Sequence, residues 1–216
     1  MVPFCSSGLG ARVVVVILCL LALAQTVASQ GNDPATEAAK GPVSVGILVD
    51  CSMVGKGGTD SIRSAMRTFL RSLRPPDEYA LFTVSGNFRI AQEFTKNADL
   101  ADAPVRLLKP GNGGPLWDGI ISALEYVDSE ASNKRKALLV ISSGEDRGGN
   151  SGLRDTLFAA QKAEVQIFAI TIPGGSGQWN LQQLAERTSG AAYVQQQSNL
   201  NKVSRIAARE VIGSHS

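Results

Sequence analysis

The residues of this chain best placed to do chemistry stand where apolar runs end. Asp50-Cys51-Ser52 follows Val43–Val49, and Ser143-Gly144-Glu145-Asp146 follows Lys136–Ser142. Between them lies Gly111–Pro115, just before Leu116-Trp117-Asp118. A carboxylate at a strand end, facing the start of a helix, has two readings. Loop N–H groups alone satisfy it, or it binds a ligand in the crevice there. Both readings stay open for Asp50. Ser52 is expected to hydrogen-bond the local backbone. Cys51 would be a nucleophile only with a base at hand. The one histidine, His215, is next to the last residue. A Ser-His-Asp triad, a Cys-His pair or a His-rich zinc site would each have to use that tail. Cys51 is therefore expected to be a buried, inert thiol. Gly57-Gly58 and Gly113-Gly114 are not followed by Gly-Lys-Ser/Thr, so no phosphate-binding loop is supported. Trp117 and Trp179 are candidate contact aromatics at loop edges, against the commoner role of packing. Asp118 reads as a first-turn helix residue favoured by the dipole, and Glu145 and Asp146 as solvated loop charges.

Composition narrows the field. The chain has 216 residues, 44% of them hydrophobic, with 21 Lys+Arg against 19 Asp+Glu. This is ordinary globular usage, which excludes disordered, collagenous and coiled-coil classes. The near-neutral balance gives no electrostatic case for nucleic acid. Arg12 precedes an apolar run of 12 residues, Val13–Ala24, with small residues after it. A spanning helix needs roughly 20, so the run reads as a signal-peptide core. Cleavage after Ser29 fits, and after Ala24 or Ala28 nearly as well. A retained N-terminal anchor is the alternative, and the only route to a membrane. Ile17-Leu18-Cys19 lacks the small residue of a lipoprotein site. Removing residues 1–29 leaves 187 of the 216, with Cys51 as the one remaining cysteine. The exported chain, secreted or in the periplasm or cell envelope, then has no internal disulfide and must rely on its core.

The elements that must position these residues follow from periodicity. Residues 30–42 read as a linker, 43–212 as one domain and 213–216 as a tail. Val43–Val49, Lys136–Ser142 and Val165–Ile172 are apolar enough for strands covered on both faces. Tyr79–Val84 is a further strand, and Ser85-Gly86-Asn87 turns it into Phe88–Phe94, an antiparallel edge strand. Helical stripes mark Thr59–Leu73, stopped by Pro75-Pro76, and the segments carrying Leu116 to Val127 and Leu153 to Ala160. Residues 97–108 read as a short helix interrupted near Pro104. Asn180 with Gln183 resembles a capping box, with Gly190 as the residue ending that helix. Ala191–Val194 is a last short strand, and Leu200, Val203, Ile206 and Val211 stripe the last helix. The order predicts an α/β fold: a doubly wound, mostly parallel six-stranded sheet, one antiparallel edge strand, and helices on both faces. Ligands of such folds sit at the carboxyl ends of the strands, where Asp50–Gly58, Gly111–Pro115 and Ser143–Ser151 meet.

Asp50-Cys51-Ser52-Met53-Val54 after a central strand resembles the start of the metal-ion-dependent adhesion site of von Willebrand factor A domains. Segments such as RSLRPPDEYALFTVSGNFRIAQEFT, GNGGPLWDGIISAL, KRKALLVISSGEDRGG and AEVQIFAITIPG are similar to bacterial secreted members, over about 43–212. The resemblance implies the Rossmann-like fold of that family and a cation held by Asp-x-Ser-x-Ser, a Thr and a second Asp. Asp50 and Ser52 match the first two ligands. Val54 stands at the third, Gly114 at the Thr and Ser143 at the second Asp. Val54 and Gly114 bring no side-chain oxygen and Ser143 no charge, so the site is expected to be degenerate, with no cofactor or weakly bound Mg²⁺ or Mn²⁺.

What the resemblance implies is a non-catalytic module that recognises a protein partner through Asp50, Ser52, Gly113, Gly114, Trp117 and Ser143, independently of metal or weakly assisted by it. The alternatives are metal bound through Glu145 or Asp146, or a structural subunit of an envelope assembly. A hydrolase built on Asp50 lacks a base.

Overall fold

Eight residues, Val43–Asp50 (β1), are all buried, as a strand sandwiched between two helical layers must be. The computed structural model describes residues 41–53, 59–171, 176–195 and 197–213. The signal and cleavage sites, most of the linker, Val54, Gly57-Gly58, Ile172 and His215 lie outside the described residues.

After β1 come Thr59–Leu70 (α1), Glu78–Ser85 (β2), Asn87–Thr95 (β3), Asp102–Leu107 (α2), Leu116–Glu130 (α3) and Arg135–Ile141 (β4). Leu153–Ala163 (α4), Val165–Thr171 (β5), Gln178–Arg187 (α5), Ala192–Val194 (β6) and Leu200–Gly213 (α6) complete the order. The six strands form one sheet in the order β3-β2-β1-β4-β5-β6. All neighbouring pairs are parallel except β2 with β3. The expected sheet, including its antiparallel edge, is what the chain forms. Alternate side chains feed two cores. One lies under α1, α2 and α6, where Ile47, Phe69, Leu139 and Val203 meet. The other lies under α3, α4 and α5, with Leu48, Phe82, Leu124 and Leu184.

Four local expectations change. α1 ends at Leu70, and the chain tightens to three-residue hydrogen bonds, Ser72 N–H to Phe69 and Leu73 N–H to Leu70, before the prolines. Residues 98–107 form a 3₁₀ turn and then α2, with Pro104 inside the first helical turn, where no N–H is needed. α5 begins two residues before Asn180, with no side-chain cap. Its C-terminus is a Schellman motif: Gly190 N–H reaches Ala185 O, Ser189 N–H reaches Glu186 O, and Ser189 takes the left-handed turn at φ 59°. Gly190 is needed for closeness instead, since a Cβ there would stand 1.9 Å from Ile167 O. Finally, Ile206 is exposed. The inner face of α6 is made by Leu200, Val203, Ser204, Ala207, Ala208 and Val211, and all of these but Val203 stand about 100° or more around the helix from Ile206.

Candidate functional site

Strand order reverses between β1 and β4, which lie side by side at the centre of the sheet. Their register pairs Val49 with Ile141, so the next residues, Asp50 and Ser142, face each other at the carboxyl end. Asp50 is 2% exposed. One carboxylate oxygen accepts the Ser52 N–H at 2.9 Å and the Ser52 hydroxyl at 2.7 Å. The other accepts the Ser142 hydroxyl at 2.7 Å. The Ser142 oxygen in turn accepts the Gly144 N–H at 3.0 Å. Asp50 thus fastens the 3₁₀ turn Cys51–Met53 to the loop after β4. Three hydrogen bonds from N–H and O–H dipoles hold this buried carboxylate, with no ion pair to it among the described residues.

Ser142, which sequence reasoning passed over for its neighbour Ser143, is the third member of this group. The available signal was strand register: two parallel strands ending level place a polar Ser142 opposite Asp50. Ser143 is half-buried and its oxygen accepts the Glu145 N–H at 3.5 Å.

The second loop is tied from three sides by backbone hydrogen bonds. Gly111 N–H reaches Cys51 O at 2.9 Å, Gly86 N–H reaches Gly113 O at 2.9 Å, and Arg147 N–H reaches Gly114 O at 3.0 Å. Gly113 adopts φ +82°, with the Arg147 and Ser52 side chains close to where its Cβ would be. Gly114 is buried, and a Cβ on it would stand 2.8 Å from Gly86 N. A threonine at this place has no room until the β2–β3 turn moves away.

The acidic residues of the rim are engaged. Asp146 accepts the Trp117 N–H at 3.2 Å and the Gly149 N–H at 3.3 Å. Pro115, preceding α3, makes no side-chain cap, so a carboxylate from another loop satisfies one of the orphan amides of that helix. Asp118 accepts the N–H groups of Asn150 and Ser151 at 3.1 and 3.0 Å. The Ser151 hydroxyl and the Asn150 N–H hold its carboxyl below the ordinary 3.8. Glu145 pairs with Arg147 at 3.1 Å, and the same guanidinium donates to Asn112 O at 3.1 Å. Asp146 and Asp118, expected to be a solvated charge and a dipole partner, therefore staple α3 to the loop after β4.

Trp117 is 6% exposed and packs in the core beneath α3, so its ring is not presented to a partner. Trp179 is 63% exposed at the start of α5. Cys51 is buried, and burial together with the charge of Asp50 pushes its thiol up to about 11. At neutral pH it stays protonated.

No protein-family model matches the sequence, and no curated protein does. Solved structures do. A von Willebrand factor type A protein from Catenulispora acidiphila superposes at TM-score 0.70 with 13% identity, over 81% of this chain and 43% of that one. The chain has the von Willebrand factor A fold. The vWF domain of the type V pili tip protein Mfa5 from Porphyromonas gingivalis matches at 0.66 and 13% identity, over 82% of this chain and 97% of that domain. Proximal thread matrix protein 1 from the mussel byssus matches at 0.69 and 16%, over 81% and 49%. In this von Willebrand factor A fold, the Asp50–Ser52–Ser142 group occupies the strand-end crevice.

Proposed function

We propose that the chain is an exported, non-catalytic module that binds a protein through the strand-end face around Asp50, Ser52, Gly113, Gly114 and Ser143, without a bound metal. The observation that carries this reading is the state of Asp50. Its oxygens are taken by Ser52 and Ser142, and the neighbouring donor positions are a closed Gly114 and an uncharged Ser143. This donor set does not fit Mg²⁺, which asks for near-octahedral oxygen ligands and little strain. Glu145, Asp146 and Asp118 each have partners of their own, so the replacement-ligand alternative would cost those contacts first. The rim instead supplies a surface of backbone edges and small side chains, fixed in advance by the three loop hydrogen bonds, which lowers the entropy cost of binding. The similar fold of a pilus tip protein and a byssus matrix protein supports an adhesion-type role.

Two measurements test the reading. Calorimetric titration with Mg²⁺ and Mn²⁺ is expected to give no micromolar binding. Micromolar heat that disappears in Asp50→Ala would sink it. A photo-crosslinker at exposed Asn112 is expected to capture a partner from native envelope material, with or without chelator. The same crosslinker at exposed Lys134, at the far end of the sheet, is expected to capture none. Equal capture at both places, or capture lost with chelator, overturns the assignment.

A further inference from the structure

The net charge of +2 conceals a separation of charge across the sheet. Helices α1, α2 and α6, with Arg71 just past α1, carry seven Lys/Arg against three Asp/Glu. Helices α3, α4 and α5, on the other face, carry three against six. The two layers differ further in what their charges already touch. On the acidic layer Asp118 and Asp155 accept loop N–H groups, Asp128 pairs with Lys136, and Glu186 holds Gln182 and Gln183. On the basic layer Arg63 is engaged by Asp60 and two carbonyls. Arg71, Lys202, Arg205 and Arg209 are exposed and form no ion pair among the described residues.

These four converge. Each of α1 and α6 follows a strand of the parallel part of the sheet, so they run alongside one another, and Thr68 touches Asn201. One turn further along each helix lie Arg71 and Arg205. Lys202, Arg205 and Arg209 fall at i, i+3 and i+7, one stripe of α6. Ile206 is exposed beside that stripe. Glu210, the one carboxylate of α6, stands beside the Tyr193 hydroxyl. Cations held outward around an exposed aliphatic side chain are the pattern of a surface that rests on anionic headgroups and dips a side chain among them. Stacking on the acidic layer of a second copy would find most carboxylates already engaged.

We propose that the outer face of α1 and α6 docks on an anionic phospholipid surface through Arg71, Lys202, Arg205 and Arg209, with Ile206 at the contact. The face lies apart from the strand-end crevice, so this holds or fails independently of the recognition reading. The apolar run Val13–Ala24, read as a signal core, would bring the chain to a membrane during export, and the basic face would keep the folded domain there.

The test uses residues 40–216, a compact unit whose two described cores draw on nothing before Val43. The probe is large vesicles of phosphatidylcholine alone or with about one third phosphatidylglycerol, in co-sedimentation. Each Lys or Arg near such a surface contributes about fivefold at low salt. Binding to the anionic vesicles is expected to exceed neutral vesicles by at least about tenfold and to vanish near 0.5 M salt. The quadruple variant Arg71→Gln/Lys202→Gln/Arg205→Gln/Arg209→Gln is expected to lose that excess with an unchanged circular dichroism spectrum. Ile206→Ser is expected to weaken binding severalfold with the salt dependence kept. No preference for anionic vesicles, or an unweakened quadruple variant, overturns the proposal. Binding of polyglutamate in place of vesicles also overturns it, and gives the face to an acidic polypeptide.

Discussion

Two aspartates at opposite ends of the sheet, Asp50 and Asp77, are each 2% exposed, yet their surroundings differ in kind. Asp77, at the amino end of β2, accepts the Val43 N–H at 3.0 Å and the Arg74 N–H at 2.8 Å, and pairs with the Arg74 guanidinium at 3.2 Å. Next to it Glu78 accepts the Ser44 hydroxyl and the Ser132 N–H, and Ser44 accepts the Asn133 N–H. Asp77 itself is held by fixed donors and a cation. Asp50 has one fixed donor, the Ser52 N–H, and two hydroxyl donors. Equal burial therefore goes with two different kinds of donor, fixed amides and a guanidinium at Asp77 and mainly hydroxyls at Asp50.

The comparison can be broken in order of expected effect. Asp77→Ala leaves two backbone N–H groups and a partly buried guanidinium without their acceptor, and should cost about 3 kcal/mol, read as a lower urea midpoint with unchanged slope. A loss as small as that of Asp50→Asn would erase the distinction between the two ends. Gly114→Thr restores a hydroxyl to the second loop but drives its Cβ against Gly86. It should destabilise by about 2 kcal/mol and create no Mg²⁺ binding by calorimetry. Asp50→Asn keeps the acceptor for Ser52 and lets the Ser142 hydroxyl turn to accept, for a cost of about 1 kcal/mol. The smallest effect is a pH dependence. The carboxyl of Asp118 lies lower in the folded chain than its ordinary 3.8, so its contribution is full above that value and fades as pH falls through the folded one. The gap in urea midpoint between the chain and Asp118→Asn should therefore close between pH 5 and strongly acid solution. A gap independent of pH would remove Asp118 from the staple.

These contrasts also mark what could be read before folding. The strands read as Val43–Val49 and Lys136–Ser142 were legible because a strand covered on both faces must be largely apolar, and they form as Val43–Asp50 and Arg135–Ile141. The site was legible as a place, since parallel strands deliver their loops to one edge. Its wiring was not. Asp146 caps a helix 29 residues earlier, and Ser142 reaches Asp50 across 92. Such partners follow from register, which no local window contains. Trp117 and Ile206 were misplaced for a related reason. Side-chain size and position near a loop do not decide exposure, whereas the rotation of the helix on the sheet does. α6 turns its alanines inward, and so leaves the larger Ile206 outside.

One buried atom has a wider consequence. If residues 1–29 are removed, as the proposed export requires, the Sγ of Cys51 would be the only thiol left, and it is buried beside Asp50 with its proton retained. In the oxidising compartment that the proposed export implies, a folded molecule would be chemically silent, whereas one that opens at the carboxyl end of β1 would expose a group able to couple two chains covalently. The trapping rate by a thiol reagent becomes a clock for that opening, and disulfide-linked pairs become a record of molecules that failed to close.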